Sequence, residues 1–190
     1  MGLANWLTLL RIVMVPVFVS LLVYRKPGAA LVVFATAAFT DLLDGYIARR
    51  RGSQSRLGAF LDPMADKLLL TASFVTLTYL KALPFWIAAV VISRDVILAL
   101  GTALIYMLGG RLDPRPTRAG KAATFLQILT VLTGLLAPYV DPGAALPVVL
   151  WLAAVFTVAS GLQYVVQGMR FLNVAPDEER EASREDAFLH

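Results

Sequence analysis

The chain has 190 residues, of which 58% are hydrophobic and 16% are charged. Soluble proteins contain about 25% charged residues, so this composition argues against a soluble enzyme and favours a protein embedded in a membrane. The chain contains no cysteine and its single histidine is His190, which excludes disulfides, sulfur-ligated zinc and a histidine base inside the fold.

Apolar stretches separated by charge, glycine and proline divide the chain into six predicted membrane-spanning helices. Roughly 18 or more consecutive apolar residues are enough for a helix to cross a bilayer. The predicted spans are approximately Leu3 to Tyr24, Gly28 to Arg49, Gly58 to Leu80, Leu83 to Leu108, Ala119 to Val140 and Ala144 to Met169. We therefore predict an all-α, polytopic membrane protein with six transmembrane helices.

The connections between these spans differ in charge. Arginine is concentrated around residues 49–56 and 109–118, whereas the alternate connections contain only Arg25, Lys26 and Lys81. Because cytoplasmic loops carry an excess of Lys and Arg, the arginine-rich connections and both termini are predicted to be cytoplasmic. Acidic residues crowd the C-terminal end. We expect residues 1–170 to form a six-helix membrane domain and residues 171–190 to form a flexible acidic cytoplasmic tail.

Four carboxylates lie within or beside the second and third spans, where a charged side chain is costly unless it is paired, hydrated or metal-bound. They are Asp41, Asp44, Asp62 and Asp66. A spacing of three or four residues places each pair on one face of its helix. Asp44 and Asp62 are equally far from Ser53, so an antiparallel hairpin would bring the two pairs to matching heights. The sequence thus predicts that the four carboxylates converge near the cytoplasmic surface.

Converging carboxylates at low dielectric must take up protons or cations. Oxygen ligands without His or Cys favour hard divalent ions, Mg²⁺ before Mn²⁺ or Ca²⁺, and two ions about 4 Å apart suit in-line displacement at phosphorus. One alternative is a cluster that shares protons or pairs with Arg49 and Lys67 and only fixes helix packing. Another is a divalent-cation transporter, but the opposite half of the spans contains no acidic relay.

The segment from Asp41 to Asp66 reads DLLDGYIAR, eight further residues, then GAFLDPMAD. This pattern resembles the signature of the CDP-alcohol phosphatidyltransferases, and no signature position departs from it. The resemblance implies metal-dependent transfer of a phosphatidyl group from CDP-diacylglycerol to an alcohol, with release of CMP. The membrane domain would then be catalytic. The family is commonly dimeric, and the sequence neither supports nor opposes a homodimer.

The resemblance also assigns roles to individual residues. It implies that two Mg²⁺ or Mn²⁺ ions are held by Asp41, Asp44, Asp62 and Asp66. It implies that Asp66 is also the general base. The residues expected around the CDP group are Asp44, Gly45, Ala48, Arg49 and Gly58.

Two other segments resemble the phosphatidylglycerophosphate synthases and cardiolipin synthases of this family: NWLTLLR at residues 5–11 and GKAATFLQ at residues 120–127. Glycerol 3-phosphate is therefore the first expected acceptor. Phosphatidylglycerol is the alternative, because the first of these branches more often has Glu where Asp95 stands. Arg94 lies deep in an apolar span and requires an anion, but Asp95 points about 100° away around the helix and is expected to be an imperfect partner.

We expect the phosphate of the acceptor to be bound by Arg94, Arg118 and Lys121. In the alternative interpretation, Arg94 forms a structural ion pair with a member of the aspartate cluster. Arg118 and Lys121 would then only set the orientation of the chain in the membrane and contact lipid headgroups. Arg11 either steadies the nucleotide or makes a structural ion pair. The expected partners are CDP-diacylglycerol, a glycerol-based acceptor and membrane lipids, with no nucleic acid. The expected location is a bacterial cytoplasmic membrane, with the active site facing the cytoplasm.

Overall fold

The computed structural model describes the backbone of residues 3–51, 56–107 and 117–188, and the side chains of residues 10–40, 67–105, 107 and 117–169. Within these ranges the fold is all helical. The helices are α1 (Leu3–Val23), α2 (Pro27–Arg51), α3 (Arg56–Tyr79), α4 (Phe85–Met107), α5 (Arg118–Leu136) and α6 (Ala145–Phe188). The predicted all-α class and the order of six helices are confirmed for this part of the chain.

Two helix ends differ from the predicted spans. The fifth helix ends at Leu136 and not at Val140, because Pro138 follows closely and cannot donate the next helical hydrogen bond. The sixth helix continues to Phe188, so most of residues 171–190 are assigned as helix. The expected flexibility of this acidic segment stays a prediction.

Three stretches of the described residues are long and apolar enough to cross a bilayer. They are Phe85–Ile105, Arg118–Leu136 and Ala145–Met169. The described apolar parts of the first three helices are shorter, at Leu10–Val23, Pro27–Thr40 and Lys67–Tyr79. The helices also point many large apolar side chains outward, among them Leu100, Phe125 and Trp151, as expected of surfaces that contact lipid. The chain is therefore a membrane protein.

The first and third helices end in the same tight turn. Arg25 and Lys81 have positive φ angles of 56° and 60°. At each turn this residue donates its backbone N–H to the carbonyl three residues earlier, and the next residue donates to the carbonyl five residues earlier. This is the Schellman arrangement, here formed without glycine. The basic side chains also suit the negative end of the helix dipole.

Contacts between the turns show how the helices alternate in direction. Gly28, at the start of α2, lies so close to Tyr139 that a Cβ there would be 2.8 Å from the tyrosine oxygen. Gly134 packs against Leu83, in the turn between α3 and α4. The α1–α2, α3–α4 and α5–α6 turns are therefore at one end of the bundle, and α3 and α5 both begin at the other end.

The core is filled by aromatic and aliphatic side chains from all six helices. Phe18 and Phe34 pack with their ring centroids 5.8 Å apart. Phe74 is fully buried against the same cluster. Burying one such side chain contributes about 1.5–3 kcal/mol relative to water, but against lipid the gain comes from close packing instead.

Helices α4 and α6 run parallel to each other. Trp86 and Trp151, near their starts, pack with ring centroids 5.1 Å apart. Further along, Arg94 hydrogen-bonds to Ser160. Beyond this bond lies a cavity of about 200 Å³, which is lined by Ile97, Leu98, Gly101, Thr102, Leu104, Ile105, Tyr164, Val165, Gln167, Gly168 and Met169.

Candidate functional site

The two aspartate pairs lie on helices, as their spacing requires. Asp41 and Asp44 belong to α2, and Asp62 and Asp66 belong to α3. Their side chains lie outside the described residues, as do those of the expected CDP-binding residues, which are Gly45, Ala48, Arg49 and Gly58. Convergence of the four carboxylates therefore stays a prediction. Among the side chains that the structure describes, no group of three or more His, Cys, Asp or Glu residues could hold a metal.

A charged network begins one residue after Asp66. Lys67 Nζ on α3 lies 2.7 Å from Asp95 Oδ1 on α4. The same oxygen accepts a hydrogen bond from Arg94 Nη1 at 2.8 Å. Arg94 Nη2 donates to Ser160 Oγ on α6 at 2.9 Å. One carboxylate and one hydroxyl thus join three helices.

The expectation that Asp95 is an imperfect partner for Arg94 is wrong. Although the two residues leave α4 in different directions, the long, flexible arginine side chain brings its guanidinium back to the neighbouring carboxylate. Arg94 is only 8% exposed, so the contact supplies the counter-ion that a buried guanidinium requires. Arg94 Nε is buried and has no hydrogen-bond partner among the described residues.

The first turn of α5 packs directly against this network. Thr117 caps the helix by accepting a hydrogen bond from the backbone N–H of Gly120 at 3.0 Å. A Cβ on Gly120 would lie 3.3 Å from Ser160 Oγ and 3.6 Å from Arg94 Nη2, so glycine permits the close approach. This end of α5 therefore lies beside the buried guanidinium.

Arg118 and Lys121 belong to the same turn of α5 as Gly120, and both are exposed. The structure thus brings Arg94 against the helix turn that carries the other two expected acceptor-binding residues. Cations at a helix amino end are unfavourable for the helix dipole, whereas an anion there is stabilised. This turn is therefore electrostatically suited to an anion.

Arg118 also borders an open cavity of about 550 Å³ on the outer side of the bundle. The other lining residues are Thr117, Ala119, Leu162, Gln163, Val166 and Gln167. Lys121 does not line this cavity. On α1, Arg11 is buried, and its two expected roles, steadying the nucleotide and making a structural ion pair, stay predictions.

Sequence reasoning missed Ser160 and assigned Lys67 only as an alternative partner of the aspartate cluster. A signal for Ser160 exists in the sequence, because Thr157 and Ser160 repeat with helical spacing in an apolar span. Both hydroxyls are buried and both accept hydrogen bonds from other helices. Lys67 carried no comparable signal, since its partner is 28 residues away.

The sequence was also compared with known proteins. A protein of Mycobacterium tuberculosis named as a probable phosphatidylglycerophosphate synthase is 39% identical over 177 residues, covering 89% of this chain and 82% of that protein. The CDP-diacylglycerol–glycerol-3-phosphate 3-phosphatidyltransferase of Escherichia coli K12 is 35% identical over 165 residues, covering 84% and 90%. The human CMP-forming cardiolipin synthase is 35% identical over 193 residues, covering 91% and 64%.

The family model for CDP-alcohol phosphatidyltransferase matches residues 1–159. This range includes the aspartate motif, the charged network except for Ser160, and the first turn of α5. The resemblance seen in residues 41–66 therefore extends over most of the chain. The chain belongs to the CDP-alcohol phosphatidyltransferase family.

Proposed function

We propose that this protein transfers the phosphatidyl group of CDP-diacylglycerol to glycerol 3-phosphate, forming phosphatidylglycerophosphate and releasing CMP. Family membership and the names of the bacterial relatives support this reaction. The observation that favours an acceptor with an anionic phosphate is the buried Arg94 guanidinium against the α5 turn that bears Arg118 and Lys121. Among such acceptors, the names of the bacterial relatives favour glycerol 3-phosphate. A phosphate group suits this cluster because guanidinium and ammonium groups form strong, charge-assisted hydrogen bonds with phosphate oxygens.

The proposed enzyme crosses the membrane six times and faces the cytoplasm with its active site. The starts of α3 and α5 are at the end opposite the α1–α2, α3–α4 and α5–α6 turns, and the network around Arg94 lies beside the start of α5. The arginine-rich connections belong to this same end, which supports a cytoplasmic orientation. In a bacterium the membrane would be the cytoplasmic membrane.

The proposed cofactor is a pair of Mg²⁺ or Mn²⁺ ions. The available donors fit these metals, since α2 and α3 carry four aspartates and no His or Cys. Asp41, Asp44, Asp62 and Asp66 would hold the ions. When bound, the ions supply positive charge that offsets the charge of the pyrophosphate and of the departing CMP.

Residues of the chain would bind the CDP group and accept the proton that is released in the reaction. Asp44, Gly45, Ala48, Arg49 and Gly58 would bind the CDP group. Asp66 accepts the proton of the acceptor hydroxyl, whose oxygen forms a bond to the phosphorus attached to diacylglycerol as the bond from that phosphorus to CMP breaks. Both substrates are bound together, so no covalent enzyme intermediate is needed.

Phosphatidylglycerol is the second candidate acceptor, which would give cardiolipin. Two observations favour it: the identity of 35% with the human cardiolipin synthase, and aspartate at position 95. This acceptor also presents a glycerol hydroxyl and an anionic phosphate, so the same cationic cluster would suit it.

The test supplies purified protein with CDP-diacylglycerol and Mg²⁺ and, in separate reactions, glycerol 3-phosphate, phosphatidylglycerol, serine or inositol. Mass spectrometry of the lipid product and measurement of CMP identify the acceptor. We expect phosphatidylglycerophosphate as the main product. Cardiolipin would replace the first candidate by the second, and absence of CMP with every acceptor would refute both. Normal turnover by a D66N variant would show that Asp66 is not the general base.

A further inference from the structure

Asp95 is the only residue of the described network that contacts both of its cations. Its Oδ1 atom lies 2.7 Å from Lys67 Nζ and 2.8 Å from Arg94 Nη1. The side chain of Asp95 is 17% exposed, so solvent screens these contacts less than it screens a surface ion pair. Loss of this one carboxylate would release both cations at once.

The contact with Lys67 restrains the part of α3 that carries the predicted metal ligands. Lys67 follows Asp66 directly on the same helix. A helix is stiff over a few residues, so fixing the Lys67 ammonium on α4 limits rotation of the adjoining turn. A change of orientation there would move the carboxylate of Asp66 and, one turn earlier, that of Asp62.

The contact with Arg94 restrains the buried guanidinium. Arg94 donates to Asp95 from one terminal nitrogen and to Ser160 from the other, so the plane of the guanidinium is fixed by two helices. Its Nε donor has no hydrogen-bond partner among the described residues. The guanidinium is thus held in one orientation by contacts with α4 and α6.

We propose that Asp95 is a positioning residue that couples the metal-bearing turn of α3 to the acceptor-binding guanidinium of Arg94. It acts through Lys67 on one side and through Arg94 on the other. This inference rests on the proposed function, because it gives a task to the same site. Because Asp95 Oδ1 already accepts hydrogen bonds from both Lys67 and Arg94, this carboxylate is suited to holding these two side chains in place.

A purely structural role would be different in a measurable way. An ion pair that only holds α3 against α4 would affect thermal stability when broken, and the folded variant would keep its normal metal affinity and KM values. A positioning residue also changes metal affinity and acceptor KM in the protein that remains folded. Changes to groups that orient metal ligands typically reduce metal affinity or activity by about 10- to 100-fold.

The experiment uses full-length protein in detergent with three variants, D95N, D95E and K67M. Mn²⁺ affinity in the presence of CDP is measured by electron paramagnetic resonance, which requires no turnover. The KM values for glycerol 3-phosphate and CDP-diacylglycerol are measured separately. The matched control is T157V, which breaks a buried hydrogen bond between α5 and α6 but leaves the network intact.

We expect D95N to weaken Mn²⁺ binding and to raise the glycerol 3-phosphate KM, each by about 10-fold or more. The KM for CDP-diacylglycerol should change less. D95E should recover part of both losses, because it restores the negative charge. K67M should weaken Mn²⁺ binding with little change in acceptor KM, and T157V should lower the melting temperature alone.

Normal Mn²⁺ affinity in K67M, or normal Mn²⁺ affinity and acceptor KM in D95N, would overturn the proposal. Lys67 is 38% exposed, so K67M gives a decisive result even where D95N does not fold. A separate observation would show that the proposed reaction is wrong: wild-type protein would bind Mn²⁺ and CDP but would not use glycerol 3-phosphate. In that case the Mn²⁺ measurements on K67M and D95N still decide the role of Asp95.

Discussion

The buried hydrogen bond between Gln127 and Thr157 allows the energetic role of polar side chains in this bundle to be measured. Gln127 Nε2 donates to Thr157 Oγ1 at 3.0 Å, and both residues are completely buried. The T157V change keeps the shape of the side chain but leaves the amide donor without its acceptor. An unsatisfied buried donor costs about 1–3 kcal/mol, while hydrogen bonds between membrane helices average about 0.6 kcal/mol.

Because the average for membrane helices lies below the range for an unsatisfied donor, we expect T157V to destabilise the protein by about 1–2 kcal/mol. This raises the unfolding equilibrium constant roughly 5- to 30-fold. Q127L should cost less. It removes an amide whose Oε1 has no partner among the described residues, and the freed Thr157 hydroxyl can bond to the helix backbone. The double variant Q127L/T157V should be close to the wild type, because neither partner is then left unpaired.

The assay is reversible unfolding in mixed detergent micelles with increasing dodecyl sulfate, followed by far-ultraviolet circular dichroism. Unchanged stability in T157V would refute the reasoning, because the amide would then have another partner. A double variant as unstable as the sum of the two single variants would also refute it. A T130V variant is the matched control, since among the described residues the buried Thr130 hydroxyl bonds to a carbonyl of its own helix and not to another helix.

Three further predictions concern packing, the site and the metal. G120A would place a Cβ 3.2 Å from Thr117 Oγ1 and 3.3 Å from Ser160 Oγ. We therefore expect α5 to shift away from α6 and the acceptor KM to rise. An unchanged acceptor KM would show that the close approach of α5 is unimportant for acceptor binding. F74A should destabilise the fold by about 2 kcal/mol or more, because the fully buried side chain leaves a cavity, and a loss below about 1 kcal/mol in the micelle assay would contradict the packing described. Removal of divalent metal with EDTA should abolish CMP release and added Mg²⁺ should restore it, whereas activity that persists after chelation would contradict the proposed cofactor.

Most of the helical architecture could be predicted from the sequence, because long apolar runs and the charges between them are local signals. The left-handed turns at Arg25 and Lys81 were not predicted, since glycine usually occupies such positions. The length of α6 was also missed. An acidic composition indicated a tail, but composition does not determine whether a continuous helix extends into it.

The candidate site was less accessible to sequence reasoning. The spacing of Asp41, Asp44, Asp62 and Asp66 and the family signature identified the expected metal ligands. The partners of Arg94 could not be predicted in the same way. Helical geometry gave the direction in which Asp95 leaves α4, but not the path of the flexible arginine side chain, and Ser160 reaches Arg94 only through the packing of α6 on α4.

The two attachments between the parallel helices α4 and α6 leave the two ends of this helix pair different. The Trp86–Trp151 pair and the Arg94–Ser160 bond join these helices at two heights, and the cavity lies beyond the second. Apolar chains of lipid at the Ser160 end of this helix pair therefore meet a cavity between α4 and α6, whereas at the other end the tryptophan pair joins the two helices.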